Sequence, residues 1–200
     1  MSWIKIISFD EAVGKLRKLY EKVTGPNNNV DNIMLVHGLR PHTMVGHMAL
    51  YKNVLHNSNN TLPKWYLESL GVYVSMLNAC EYCVEHHFSG LRKLLKDDEK
   101  ANQIRKGLEK DDLNLALNEA YLEGFKYAKL VTLHPSQLLE KDIEKLREKG
   151  LEDGEILEIN QVVSYFNYAN RTVLGLGVST EGDILGLSPN SSDSEDWNHQ

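Results

Sequence analysis

Apolar side chains recur every third or fourth residue along almost the whole chain, and the alternation that marks a half-buried strand is nearly absent. That spacing gives each helix one apolar stripe, and packing helix on helix is the way to bury such stripes. The sequence therefore predicts an all-α fold. Phe9, Ala12, Val13, Leu16, Leu19, Tyr20 and Val23 form the first stripe behind a Ser8–Glu11 capping box, and Gly25-Pro26-Asn27-Asn28-Asn29 ends it. Pro41, a residue suited to a first helical turn, opens a second helix to about residue 56. Thr61 and Pro63 introduce a third over 64–77. Asn78 is a break, and a fourth helix runs over 80–96. The charged stretch 97–111 reads as a solvated helix face or turn. Further helices are predicted over 113–133, stopped near His134-Pro135, and over 137–149, closed by Gly150. A last long helix covers 152–174, closed by Gly175 and Gly177.

Two hundred residues fit one helical domain over 1–178, followed by a polar tail over 179–200. The tail is expected to be extended or disordered unless Leu185, Leu187 or Trp197 pins it. Lys and Arg total 22 against 28 Asp and Glu, a net charge of −6. That balance disfavours nucleic-acid binding and polybasic membrane anchoring, both of which need a cationic face. The run Trp3-Ile4-Lys5-Ile6-Ile7 is too short to span a membrane and carries a lysine. Two cysteines cannot make a secreted disulfide scaffold. The expectation is a cytoplasmic protein with no nucleic-acid and no membrane partner.

Those two cysteines stand three residues apart, in Cys80-Glu81-Tyr82-Cys83-Val84-Glu85-His86-His87. On a helix they share a face within bridging reach. His87 lies one turn beyond Cys83, where an imidazole can take the thiol proton or stabilise the thiolate. His86 borders the same face and is the alternative imidazole. If Asn78 caps the fourth helix, both thiols sit in its first turns, where free amides and the helix dipole favour a thiolate. Glu68 precedes Cys80 by twelve residues, about 18 Å on an unbroken helix. A reversal near Asn78 instead brings Glu68 opposite His87, where a carboxylate orients the ring. A zinc site from Cys80, Cys83 and His87 lacks a fourth ligand, since no second CxxC or His-x-x-x-His pair exists. His37, His42, His47 and His56 show no ligand spacing. Tyr165, Phe166 and Tyr168 read as core or subunit contacts, and Arg171 as a salt bridge or helix cap.

The set Glu68, Cys80, Tyr82, Cys83 and His87 has the spacing of the alkylhydroperoxidase AhpD-like proteins of the carboxymuconolactone decarboxylase superfamily. With the stretches 70–87 and 165–171 and Leu176-Gly177-Val178, the chain resembles their peroxidase-related branch over roughly residues 10–178. The resemblance implies an AhpD-like helical bundle with the CxxC at the start of a central helix. It implies a homo-oligomer (dimer, trimer or hexamer) that reduces small hydroperoxides without bound cofactor, haem or metal. Cys83 would be the peroxidatic thiol and Cys80 the resolving one, with His87 and Glu68 relaying protons. An external dithiol donor protein of lipoyl, thioredoxin or glutaredoxin type would reset the pair. AhpD itself has a histidine where this chain has Tyr82, which shortens or slows the implied relay. The alternatives on the same scaffold are a general dithiol–disulfide oxidoreductase or redox sensor, and a non-enzymatic helical oligomer that binds a small ligand.

Overall fold

The computed structural model describes residues 2–112, 117–189 and 196–199. They form α1 (Gly14–Val23), α2 (Asn32–Leu35), α3 (Pro41–Leu55), α4 (Lys64–Leu77), α5 (Glu81–Leu95), α6 (Asp98–Glu109), α7 (Glu119–Leu133), α8 (Glu140–Glu148) and α9 (Asp153–Leu176). Single 3₁₀ turns cover Pro26–Asn28 and Pro135–Gln137. The described residues contain no strand, only an isolated bridge between Pro189 and His199. No described helix is long and apolar enough to cross a membrane.

The core is built around α4. Every residue from Tyr66 to Ser75 is buried, so this helix is apolar on all sides and needs neighbours on all sides. α5, α7 and α9 supply them. At Gly71 an added Cβ would run into the Phe166 ring of α9. Gly71 is therefore small because α9 crosses there.

The α3 and α4 helices begin where the sequence places them. Elsewhere the boundaries move, for local reasons. The Ser8–Glu11 box forms, with the Ser8 amide donating to Glu11 Oε2 at 3.1 Å and the Glu11 amide to Ser8 Oγ at 3.3 Å. It closes one turn only: Gly14, at φ +57°, interrupts the chain before α1. Val13, expected on the buried stripe, is 79% exposed as a result. The charged stretch after residue 96 is a true helix, α6, capped by Asp97, whose Oδ1 accepts from the Lys100 amide at 2.9 Å. It buries Ala101, Ile104 and Leu108. α7 starts at Glu119 with Asn118 as its cap; residues 113–116 of the expected helix lie outside the described residues. α9 continues through Gly175 to Leu176 and ends at Gly177, which takes the left-handed conformation at φ +62°.

Beyond Val178 the chain folds back on the bundle. Asn32 Nδ2 donates to the Ser179 and Glu181 carbonyls at 2.8 and 2.9 Å. Trp197 is buried in the main core.

Gly71→Ala should overpack the α4–α9 crossing and destabilise the fold by about 1–3 kcal/mol. Urea denaturation should show this as a lower midpoint with an unchanged slope. An unchanged midpoint would mean that Phe166 moves aside freely.

Candidate active site

The site grows from the reversal between α4 and α5. Asn78 ends α4, its amide donating to the Val74 carbonyl at 3.0 Å, and Ala79 turns the chain at φ +53°. Cys80 then occupies the N-cap of α5, its own amide donating back to Ser75 O at 2.8 Å. The capping role expected for Asn78 therefore falls to Cys80. Asn78 closes α4 instead, because its side chain is drawn to α9: Nδ2 donates to Asn167 Oδ1 at 3.1 Å and to Asn170 Oδ1 at 3.0 Å.

Both cysteines are reduced and buried. The Cys83 thiol hydrogen-bonds the Cys80 sulfur. That bond, aided by the Cys83 backbone amide and opposed by burial, holds the Cys80 thiol below its ordinary range. The same bond, burial and repulsion from Cys80 push Cys83 well up, against a hydrogen bond from Asn170. The pair thus shares one charge, and its titration belongs to both sulfurs. Asn170 is fully buried and held in place, with Nδ2 donating to Ser75 Oγ at 3.1 Å while the Ser75 hydroxyl donates to Gly71 O at 2.7 Å.

The reversal also brings Glu68 to His87: Glu68 Oε2 lies 2.8 Å from His87 Nδ1. Glu68 is only 5% exposed inside an otherwise apolar helix. A second imidazole, His56 Nε2, stands 4.0 Å from Glu68 Oε1. Burial, then the neighbouring His87 and Lys64, push His56 well below the usual histidine range. The His87 ring rests edge-on against Phe166 at 4.5 Å.

His86 and Tyr82 belong to a different group. The Tyr82 hydroxyl donates to Asp183 Oδ2 at 2.7 Å and accepts from the Ile33 amide at 3.2 Å. His86 Nε2 lies 3.2 Å from the same carboxylate oxygen. Of the two adjacent histidines, His87 is thus anchored to Glu68 and His86 to Asp183.

Cys83, His87, Glu68, His86 and Tyr82 all face one cavity of about 60 Å³, whereas Cys80 faces an open groove on the other side of the α4–α5 turn. Asp31, His47 and His199 also line the cavity. Burial pushes the Asp31 carboxyl up to about 6, the neighbouring Asp183 adding repulsion and the His86 and His87 rings opposing it. Burial pushes His47 down to about 3. Its Nε2 is 3.3 Å from the Tyr165 hydroxyl, so Tyr165 is cavity wall and Phe166 is core, while Tyr168 is exposed. His37 Nδ1 bonds Thr43 Oγ1 at 2.7 Å, and His42 is exposed. Arg171 donates to the Asn167 carbonyl of its own helix at 2.9 Å. Among the described residues no group of three His, Cys, Asp or Glu side chains is placed to hold a metal.

Sequence reasoning missed Asp31, His47, Asn170, Asp183 and His199. Asn170 left one signal, a second asparagine three residues after Asn167 in an apolar helix. Asp183 left none, since it looks like any acid in a polar tail.

No family model and no curated protein matches the chain. Solved structures do. A peroxidase-related protein of Ralstonia eutropha with an AhpD core is 23% identical, with TM-score 0.77, covering 92% of this chain and 96% of its own. A peroxidase-related protein of Silicibacter is 21% identical, with TM-score 0.76 and coverages of 92% and 95%. A debrominase in complex with 2,3,4-tribromopyrrole is 14% identical, with TM-score 0.64 and coverages of 90% and 93%. At these identities the likeness carries the fold, which is AhpD-like.

The raised Asp31 carboxyl sets a pH dependence. Its preference for the neutral form stabilises the folded state fully below pH 3.8 and is lost as pH rises through about 6. In Asp31→Asn the amide stays neutral throughout. Relative to wild type, its unfolding free energy should therefore rise by about 1–2 kcal/mol between pH 4 and pH 7, the partial exposure of Asp31 reducing the full linkage value. Urea titrations at the two pH values measure this; a constant difference would place Asp31 in water in both states.

Proposed function

We propose that this AhpD-like chain is a thiol-dependent hydroperoxide reductase, with Cys83 as the attacking thiol, Cys80 as its resolving partner and Glu68–His87 as the proton relay. The observation that carries this reading is that Cys83 and His87 open into one cavity while Glu68 fixes His87 from behind at 2.8 Å.

His87 receives the first proton of the dithiol, and the remaining proton moves between the sulfurs along their hydrogen bond, leaving the charge on Cys83. The Cys83 sulfur attacks the distal oxygen of R–O–O–H, the O–O bond breaks, and Cys83 becomes sulfenic acid. His87 returns its proton to the departing alkoxide, which leaves as ROH. Cys80 then attacks the Cys83 sulfur, its proton leaves with the displaced hydroxide as water, and the disulfide forms. Two electrons have passed from the dithiol to the peroxide. An external dithiol of lipoyl, thioredoxin or glutaredoxin type supplies the next two, and no bound cofactor takes part.

Tyr82, tied to Asp183 and Ile33, takes no part in the relay, which runs through His87 alone. Exposed Leu157 and Tyr168, on one side of α9, are the surface for assembly into a homo-oligomer. The small cavity disfavours the haloaromatic ring that the debrominase binds.

Mixing the reduced protein with hydrogen peroxide should consume two thiols per chain, and peptide mass mapping should find an intrachain Cys80–Cys83 disulfide. Cys80→Ser should accumulate a sulfenic acid on Cys83, and Cys83→Ser should abolish turnover. Thiol loss no faster than that of free cysteine would refute the reading, and a sulfenate trapped on Cys80 would reverse the two roles.

A further inference from the structure

We infer that the cavity selects hydrogen peroxide over bulky organic hydroperoxides, and that Leu187, Ser188 and His199, among the described residues after α9, enforce the choice as its roof; this rests on the peroxidase reading above. Three observations lead there.

The first is size. A cavity of about 60 Å³ holds on the order of four or five waters. Hydrogen peroxide fits within that space beside Cys83, whereas an aryl or branched alkyl group exceeds it and must press on the wall or reach out through the opening.

The second is polarity. Asp31 Oδ1 and His47 Nδ1 are buried and lack a hydrogen-bond partner in the protein, and the His199 ring bonds the Trp197 backbone. They come from three distant parts of the chain, and all three residues line this cavity. His47 is only 2% exposed. Native interiors avoid such orphaned atoms, since each costs about 1–3 kcal/mol. With His199 these residues make this part of the cavity wall polar, which suits a ligand with hydrogen-bonding capacity at both ends. Hydrogen peroxide carries a donor and an acceptor on each oxygen. An organic hydroperoxide offers one O–H and would press its hydrocarbon against that polar wall. Burial first of all keeps His47 near 3 and His199 near 4, so both rings meet the ligand neutral.

The third is the roof. Leu187, Ser188 and His199 close the cavity from the carboxy-terminal side. Besides the Asn32 side chain, which holds the Ser179 and Glu181 carbonyls, one carboxylate fastens this segment. The Asp183 side chain, 1% exposed, accepts from the Tyr82 hydroxyl at 2.7 Å and from the Asn32 amide at 3.0 Å, and it pairs with His86 at 3.2 Å. Beyond it, Gly186 lies so close to Ser89 that an added Cβ would stand 2.4 Å from its hydroxyl oxygen. The roof is thus seated on α5 itself.

Stopped-flow thiol loss in the full chain, with hydrogen peroxide and with cumene hydroperoxide, tests this. Hydrogen peroxide should react at least about tenfold faster, the discrimination a fitted pocket gives. Asp183→Ala, which unfastens the roof, should narrow that ratio by about tenfold. Leu187→Ala, which thins the roof without touching its anchor, should narrow it in the same direction, and serves if the first variant fails to fold. Cumene hydroperoxide reacting as fast as hydrogen peroxide with wild type would overturn the inference and leave the peroxidase reading standing. So would a ratio that neither variant changes. Failure of both peroxides to oxidise the pair would sink both readings together.

Discussion

A carboxylate buried in the middle of the most apolar helix is the constraint on which the rest of this structure depends. Ten residues in a row of α4 are buried, and Glu68 is one of them. A charge in such a place costs several kcal/mol unless it is paired and hydrogen-bonded. His87 supplies the partner at 2.8 Å, and it can do so only if the chain reverses within a few residues of Leu77 and runs back along α4. The left-handed Ala79 makes that reversal, and the reversal puts Cys80 at a helix N-cap. One pairing requirement thus fixes the α4–α5 register and positions the thiols.

The sulfurs need a second frame, because a dithiol buried in apolar surroundings holds its protons tightly. That frame comes from α9. Asn78 fixes Asn170 through its oxygen, which turns the Asn170 amide nitrogen toward Ser75 and Cys83. The donors at Asn170 and at the start of α5 are what a shared negative charge requires. The Asp183 group is a separate construction. It binds Tyr82 and His86 on the outer side of the cavity, so two neighbouring histidines of one helix serve two different carboxylates.

What the sequence made legible follows physical range. The α4 span was readable to the residue, since a mostly apolar run bounded by Pro63 and Asn78 satisfies its backbone best as one helix. The meeting of Glu68 and His87 was readable because it depends on one local reversal. The position of Val13 was not, because a single left-handed Gly14 decides it and the apolar period carries no trace of that. Asn78 was read as a possible N-cap of α5 rather than as the end of α4 because its partners, Asn167 and Asn170, are some ninety residues away. The same distance hid Asp183, whose importance arises from Tyr82 and His86 about a hundred residues earlier. Orphaned polar atoms such as His47 Nδ1 are a property of the assembled cavity and have no sequence signature at all.

The central claim is that Glu68 acts through His87 on the Cys83 thiol, the proposed attacking group. Iodoacetamide alkylation of Cys83 in a Cys80→Ser background, followed across pH, tests it most directly because one sulfur reports. His87→Ala should slow alkylation at pH 7 by roughly three- to thirtyfold, less than the change in thiolate fraction because nucleophilicity rises with basicity. Glu68→Gln should slow it less, and the double variant should match His87→Ala, since the carboxylate has lost its mediator. Losses that add strictly, or a His87→Ala profile that overlays the parent, would contradict the claim.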